Sequence, residues 1–269
     1  MSFTEKLDPE ALAYFNNVCQ KPFAQQAVAF LNAYWRETAD QADFIFSVSW
    51  ELIKYADMHS KGISLRHLYE EGHDLDFDIG LYFYEQLCKF VEDPKNSKWA
   101  SPAFRKSQPE MLTAIKRKQE LRDRVDVNFD GRVSFLEYLL YQYNSVANPA
   151  DFCKRSMSCQ DEHPEIRARL ALEEVNKSIK AYEAERYRLT EEAKLPGVKG
   201  LKATNELAQL DASPLAEKLN KALITAEAAV RIAVRKASNS SETFAPTEGA
   251  LWWMSRDLEE KQKHYGKKK

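Results

Sequence analysis

The sequence predicts an all-α fold, and three observations carry that prediction. Hydrophobic residues make up 44% of the 269 positions and charged residues 30%, while glycine occurs only 8 times, too few for the many tight turns of an all-β chain. Apolar residues recur at steps of three and four through most of the chain, which is the helical period. Prolines and acid or amide residues stand where helices would begin. The expected order is N-terminal helices (1–60), a pair of helix–loop–helix units (61–150), a long antiparallel helical hairpin (151–238), and a segment (239–269) with a flexible stretch and a short, basic C-terminal helix.

Asp8-Pro9-Glu10 gives an N-cap and a proline at the first helical position, opening ALAYFNNVCQ. Lys21-Pro22 opens the next helix, where Phe23, Ala27, Phe30, Leu31 and Tyr34 share a face. A third pattern sets Phe44, Val48, Leu52 and Tyr55 on one side. These aromatics read as core. Beyond a loop region comes the acidic cluster Glu70, Glu71, Asp74, Asp76 and Asp78, ahead of LYFYEQLCKFVEDP. Residues 95–108, polar and punctuated by proline, read as a linker. A helix is expected from Pro109, with Met111, Leu112, Ile115, Leu121 and Val125 inward.

That helix leads into DVNFDGRVSFLE, residues 126–137, and FLEYLLYQY follows. Calcium takes six to eight oxygens, and a twelve-residue EF-hand loop supplies them from places 1, 3, 5, 7, 9 and 12. Here those places are Asp126, Asn128, Asp130, the carbonyl of Arg132, Ser134 through water, and Glu137 with both carboxylate oxygens. Gly131 stands at the sixth place, where the chain turns with positive φ. A solvated acidic turn would not need Gly131, Val133 and Glu137 together between two amphipathic helices. The reading is one functional EF-hand with Ca2+ as its ligand, of sensor-range affinity. Such hands pair, and the partner is a degenerate loop at about 70–81. With Phe77 placed opposite Val133, that loop has Leu75 where the turn glycine belongs and Leu81 where the glutamate belongs.

After Asn148-Pro149 the longest helical pattern runs over residues 164–194, with Leu172, Val175, Ile179, Tyr182, Arg186, Leu189 and Ala193 at coiled-coil spacing. LPGVKG breaks it. Pro214 opens the second arm, whose stripe of Leu219, Ala222, Leu223, Ala226, Val230 and Ala233 is small enough for close helix approach. An intramolecular hairpin in a monomer is expected, with dimerisation through the heptads as the alternative.

Composition excludes several classes. No apolar run approaches the roughly 20 residues of a membrane helix, and the N-terminal MSFTEKLDPEAL carries acidic residues without an apolar stretch. The four cysteines have no framework spacing, as in a reduced, cytoplasmic protein. Cys153, Cys159 and His163 cluster but lack a fourth zinc ligand. No phosphate loop or nucleophile elbow occurs, and the histidines lie on no catalytic pattern, so an enzyme is not expected. The net charge of −2 divides unevenly. Residues 1–163 hold 19 Lys and Arg against 25 Asp and Glu, and residues 164–269 hold 20 against 16. The second part suits an acidic partner, or the first part itself.

The segments PFAQQAVAFLNAYW, DLDFDIGLYFYEQLCKFVEDPKN, KRKQELRDRVDVNFDGRVSFLEYLLYQY, HPEIRARLALEEVNK, PGVKGLKATNELAQ, LITAEAAVR and ALWWMSRDLEEKQKHYG, in this order, go beyond a calcium module. The chain resembles the calcium-regulated actin-bundling proteins of amoeboid protists over nearly its whole length. The resemblance implies cross-linking of filamentous actin, inhibition by calcium, a cytoplasmic and cytoskeletal location, and more than one actin-contacting region, the stronger in the helical C-terminal part. It carries the calcium ligands to Asp126, Asn128, Asp130, Arg132 and Glu137. Neither a nucleic acid nor a membrane is an expected partner. Actin filaments are acidic, which makes Lys199, Lys202, Lys218, Lys221, Arg231, Arg235 and Lys236 the candidate contacts. The alternative function is a calcium-sensing adaptor that docks another protein through its hairpin.

Overall fold

Asp8 starts the first helix as its spacing predicts: its carboxylate accepts the Ala11 N–H at 2.8 Å, and Pro9 needs no partner at the first position. In the computed structural model, which describes residues 3–157, 166–239 and 248–266, α1 (Pro9–Cys19) buries Ala11, Phe15, Val18 and Cys19. The next helix, α2 (Phe23–Thr38), buries Phe23, Ala27, Phe30, Leu31 and Tyr34 along one face.

The third pattern departs from expectation for a definable reason. A short helix α3 (Ala42–Phe44) runs through a π-helical turn (Ile45–Ser49) into α4 (Trp50–Ser60). A π turn holds one residue more than an α turn, so it rotates the face that follows. Phe44 and Val48 are buried as predicted, but beyond the turn the inward positions are Ile53, Ala56 and Asp57, and Tyr55 is 51% exposed.

The expected linker is part of the core. Phe44 meets Trp99 edge-on at 5.7 Å and Phe104 at 5.9 Å, and buried Ser107 bonds both Gln41 and the Tyr143 hydroxyl at 2.7 Å. Two 3-10 turns that begin at proline, Pro94–Asn96 at its start and Pro102–Ser107 within it, fold it onto the helices.

Two strands pair antiparallel, β1 (Asp74–Asp76) and β2 (Arg132–Ser134), each leading into a helix, α5 (Phe77–Glu92) and α7 (Phe135–Gln142). Between them α6 (Ala114–Glu120) starts at the Thr113 cap, later than expected, and ends in a second π-helical turn (Leu121–Val125). Leu121 and Val125 are buried, but Met111 and Ile115 are 52% and 83% exposed. Arg117 takes the inward place instead, 4.2 Å from the Tyr84 ring centre and paired with Glu120.

The elements fall into two compact units. One lies within Met1–Ser64, Tyr69–Asp161 and Phe244–Ala250, and the other within Leu65–Leu68, Glu162–Thr243 and Leu251–Lys269. The first holds the helices and strands above with α8 (Phe152–Met157). In the second, α9 (Ile166–Ala193) packs against both α10 (Val198–Gln209) and α11 (Pro214–Asn239). In place of the single second helix of the predicted hairpin there are thus two, because Gly197 at φ +83° ends the break and Gly200, Ala203 and Leu210 continue a buried stripe. All six stripe residues of α11 are buried. Tyr182 donates to Asp211 at 2.7 Å, Lys218 lies 3.5 Å from Glu174, and Tyr265 of α12 (Glu248–Tyr265) reaches Glu183. Among the described residues no helix is long and apolar enough to cross a membrane. Cys159, His163 and most of the stretch expected to be flexible lie outside the described residues.

Candidate metal centre

The dodecamer starts where the π-helical turn after α6 ends, runs through β2 and closes in the first turn of α7, and its local interactions follow from its residue types. The Asp126 N–H donates to the Leu121 carbonyl at 2.8 Å, closing the π turn immediately before the first candidate ligand. Gly131 has φ +79°, as a turn at the sixth place requires, and Phe129 at the fourth place has φ +60°. The Asp126 Oδ2 accepts the Gly131 N–H at 3.0 Å, Asn128 Oδ1 accepts the Asp130 N–H at 3.1 Å, and Asp130 Oδ1 accepts the Arg132 N–H at 2.8 Å. Each acidic or amide residue thus folds the backbone ahead of it, the habit of short polar side chains in turns.

Ser134 and Glu137 form a reciprocal capping box at the start of α7. Glu137 Oε2 accepts the Ser134 N–H at 2.9 Å and its hydroxyl at 2.8 Å, and Oε1 accepts the Val127 N–H at 3.1 Å. The carboxyl is only 1% exposed, and burial pushes its pKa up to about 7 against those hydrogen bonds. Burial also raises the Asp126 pKa. The Asp126 Oδ1 atom is buried with no hydrogen-bond partner.

Among the described residues no three His, Cys, Asp or Glu side chains converge closely enough to form a metal cluster. The reason is visible in the bonds just given: Glu137 is turned onto backbone N–H groups, and Asn128 donates to Asp130 Oδ2 at 3.0 Å. The donor set nevertheless fits a hard divalent cation. An orphaned, buried carboxylate oxygen and a second buried carboxyl both carry a desolvation cost that such an ion removes, and every donor is oxygen.

The upstream loop meets this one at the strands. The register places Leu75, not Phe77, opposite Val133, with Asp74 opposite Ser134 and Asp76 opposite Arg132. The equivalence drawn from sequence is therefore two residues late, and Ile79 takes the last place of the loop. It remains apolar there. Arg132 and His73 both pair with Asp74, tying β2 and the upstream loop to β1. Further back, the buried Asp57 Oδ2 receives the Tyr69 hydroxyl at 2.8 Å, the Lys61 ammonium at 2.8 Å and the Gly72 N–H at 3.1 Å. Sequence reasoning missed Asp57, which sits in a helix with partners scattered through a loop of no recognisable spacing.

In the second unit, Lys199, Lys202, Lys218, Lys221, Arg231, Arg235 and Lys236 are all exposed. Lys218 pairs with Glu174, and Lys202 lies 3.7 Å from Glu206. On α11 the basic positions lie away from the buried stripe, with Ile224 and Ile232 exposed among them.

Comparison with known proteins bears on both regions. A family model described as the C-terminal part of F-actin bundling proteins matches residues 132–268. A calcium-regulated actin-bundling protein of Dictyostelium discoideum is 66% identical over 276 residues, a match spanning 100% of this chain and 93% of that protein. The crystal structure of a 34 kDa F-actin bundling protein from the same organism superposes with a TM-score of 0.90 at 67% identity, covering 97% of this chain and 99% of the other.

Proposed function

The chain belongs to the calcium-regulated actin-bundling protein family, which is not a family of enzymes, and we propose that it cross-links actin filaments into bundles and that calcium held at residues 126–137 inhibits this. Asp126, Asn128, Asp130, the Arg132 carbonyl and Glu137 would hold the ion, which when bound supplies a fixed positive charge at the centre of the loop. The observation that carries the metal reading is the buried, unpartnered Asp126 Oδ1 inside a loop of that residue spacing. Support for the filament partner is the 66% identity across the whole chain.

The basic side of α11, with Lys221, Arg231 and Arg235 around exposed Ile224 and Ile232, suits an acidic filament. The charges raise the encounter rate and the isoleucines contribute apolar area. Bundling requires two filament contacts per particle, and we place both on one monomer, in the cytoplasm with the actin cytoskeleton. Inhibition further requires that the inhibited state bind calcium more tightly than the bundling state, since equal affinity would shift nothing.

Low-speed sedimentation of filamentous actin tests this. The wild-type chain is expected to pellet filaments without calcium and to lose most of that activity in micromolar calcium. Glu137→Gln should pellet them under both conditions, because a neutral amide cannot supply the bidentate carboxylate. A Glu137→Gln protein that kept full calcium sensitivity would remove the loop from the mechanism. A wild-type chain that bound filaments without bundling them would be an adaptor.

A further inference from the structure

Gln26 of α2 is fully buried, and its amide touches four separate segments of the first unit. The two hydrogens of its Nε2 are shared among three acceptors, the Cys19 carbonyl at 2.9 Å, the Lys21 carbonyl at 2.6 Å and the His73 carbonyl at 2.7 Å. Its Oε1 accepts the Leu136 N–H at 2.8 Å. The orientation is determined by these partners: a flipped amide would set oxygen against three carbonyls and NH2 against an N–H. One side chain therefore joins the end of α1, the α1–α2 turn, the residue before β1, and the residue preceding Glu137.

We propose that Gln26 is a positioning residue that couples the state of Glu137 to the upstream loop and the N-terminal helices. For Glu137 to act as a bidentate ligand, its carboxylate must release the Ser134 and Val127 N–H groups it now holds. The backbone from Ser134 to Glu137 must then readjust, and the neighbouring Leu136 N–H is held by Gln26. Any shift there reaches the His73 carbonyl through the same amide.

Two further bonds set the receiving end. The Phe23 N–H donates to the Gly72 carbonyl at 3.1 Å and the Ala24 N–H to Glu71 Oε1 at 2.7 Å, so the first turn of α2 is already fastened to the upstream loop. The rim of the calcium loop also meets the N-terminal segment, through the Thr4 hydroxyl on the Val127 carbonyl and Asn128 on Asn16 at 3.4 Å. Those contacts are peripheral; Gln26 alone among these residues bonds both the upstream loop and α7.

This coupling rests on the calcium reading above, and the test separates the two. Calorimetry reports calcium binding, and amide hydrogen exchange at Phe23 and Ala24 reports its remote effect. The wild-type chain should bind calcium and change exchange at both amides by about tenfold. Gln26→Met, similar in volume but unable to make the four bonds, should still bind calcium while the remote change falls below about twofold. Should that variant not fold, Gln26→Asn, which keeps an amide one carbon short, is judged by the same criterion. An undiminished remote change in the folded variant overturns the coupling, as does a wild-type chain that binds calcium without any remote change. A wild-type chain that binds no calcium overturns the calcium reading itself, and the coupling with it.

Discussion

Gly131 and Gly72 are both needed where they stand, for different physical reasons. At Gly131 a Cβ would meet nothing within 4 Å, and only the torsion of φ +79° penalises a side chain. Gly131→Ala should therefore cost about 1–2 kcal/mol, read from chemical denaturation without calcium. At Gly72 the torsion is ordinary, but a Cβ would lie 2.6 Å from Asp57 Oδ2 and would disrupt a buried carboxylate with three donors. Gly72→Ala should cost about 3 kcal/mol, the larger of the two effects; equal losses would mean that the Asp57 cluster contributes little. Gly131 was legible because the alternating oxygen donors of 126–137 leave one fixed place for a turn glycine. Asp57 and Gly72 were not, since no periodic constraint links a helix residue to a loop amide fifteen positions later. Phe129 was equally hidden: φ +60° in a bulky residue is imposed by its surroundings and contradicts its own preference.

Helical periodicity identified α1 and the α11 stripe because each runs in one register, and it identified the α2 face up to Tyr34, where the backbone leaves the helical region (φ −128°, ψ 27°). It failed where the helix itself changed register. The π-helical turn at Ile45–Ser49 adds one residue, so the pattern Phe44, Val48, Leu52, Tyr55 holds for two members and then yields to Ile53 and Ala56. A pair of substitutions exposes the frame shift. Ile53→Ala should destabilise by about 2–4 kcal/mol through lost burial and a residual cavity. Tyr55→Ala should cost about 1 kcal/mol or less, since Tyr55 is half exposed and rests mainly on Tyr82 at 6.2 Å. Thermal or urea unfolding of both variants decides it, and the reverse ranking would restore the uninterrupted helix. A different cause acts before the 126–137 loop, where α6, upstream of the second π-helical turn, turns Arg117 inward instead of Ile115. An apolar-face rule gives no reason to bury an arginine, and only the Tyr84 ring, Glu120 and the Glu110 carbonyl explain it.

Charge distribution is the property of the whole chain that sequence displays directly, whereas the partition into units is not. Leu65–Leu68 belongs with the second unit through packing such as His67 against Tyr187 at 5.4 Å, a contact that no local pattern announces. The charge argument instead needs only counts and exposure. Residues 164–269 carry 20 basic against 16 acidic side chains, and Lys221, Arg231, Arg235 and Lys236 are exposed without ion pairs among the described residues. Exposed charges of this kind contribute little to folding but act on an approaching acidic surface until salt screens them, within about 10 Å at 0.1 M ionic strength. Reversing these four residues to Glu should thus leave the melting temperature nearly unchanged and reduce filament co-sedimentation about tenfold or more. Wild-type binding should weaken as ionic strength rises, and the reversed variant should show a flatter dependence. If the reversed protein bundled filaments normally, the basic side of α11 would be a solvated surface and the filament contacts would lie elsewhere. If it instead melted early, these side chains would hold the unit together, and their exposure would have been the misleading observation.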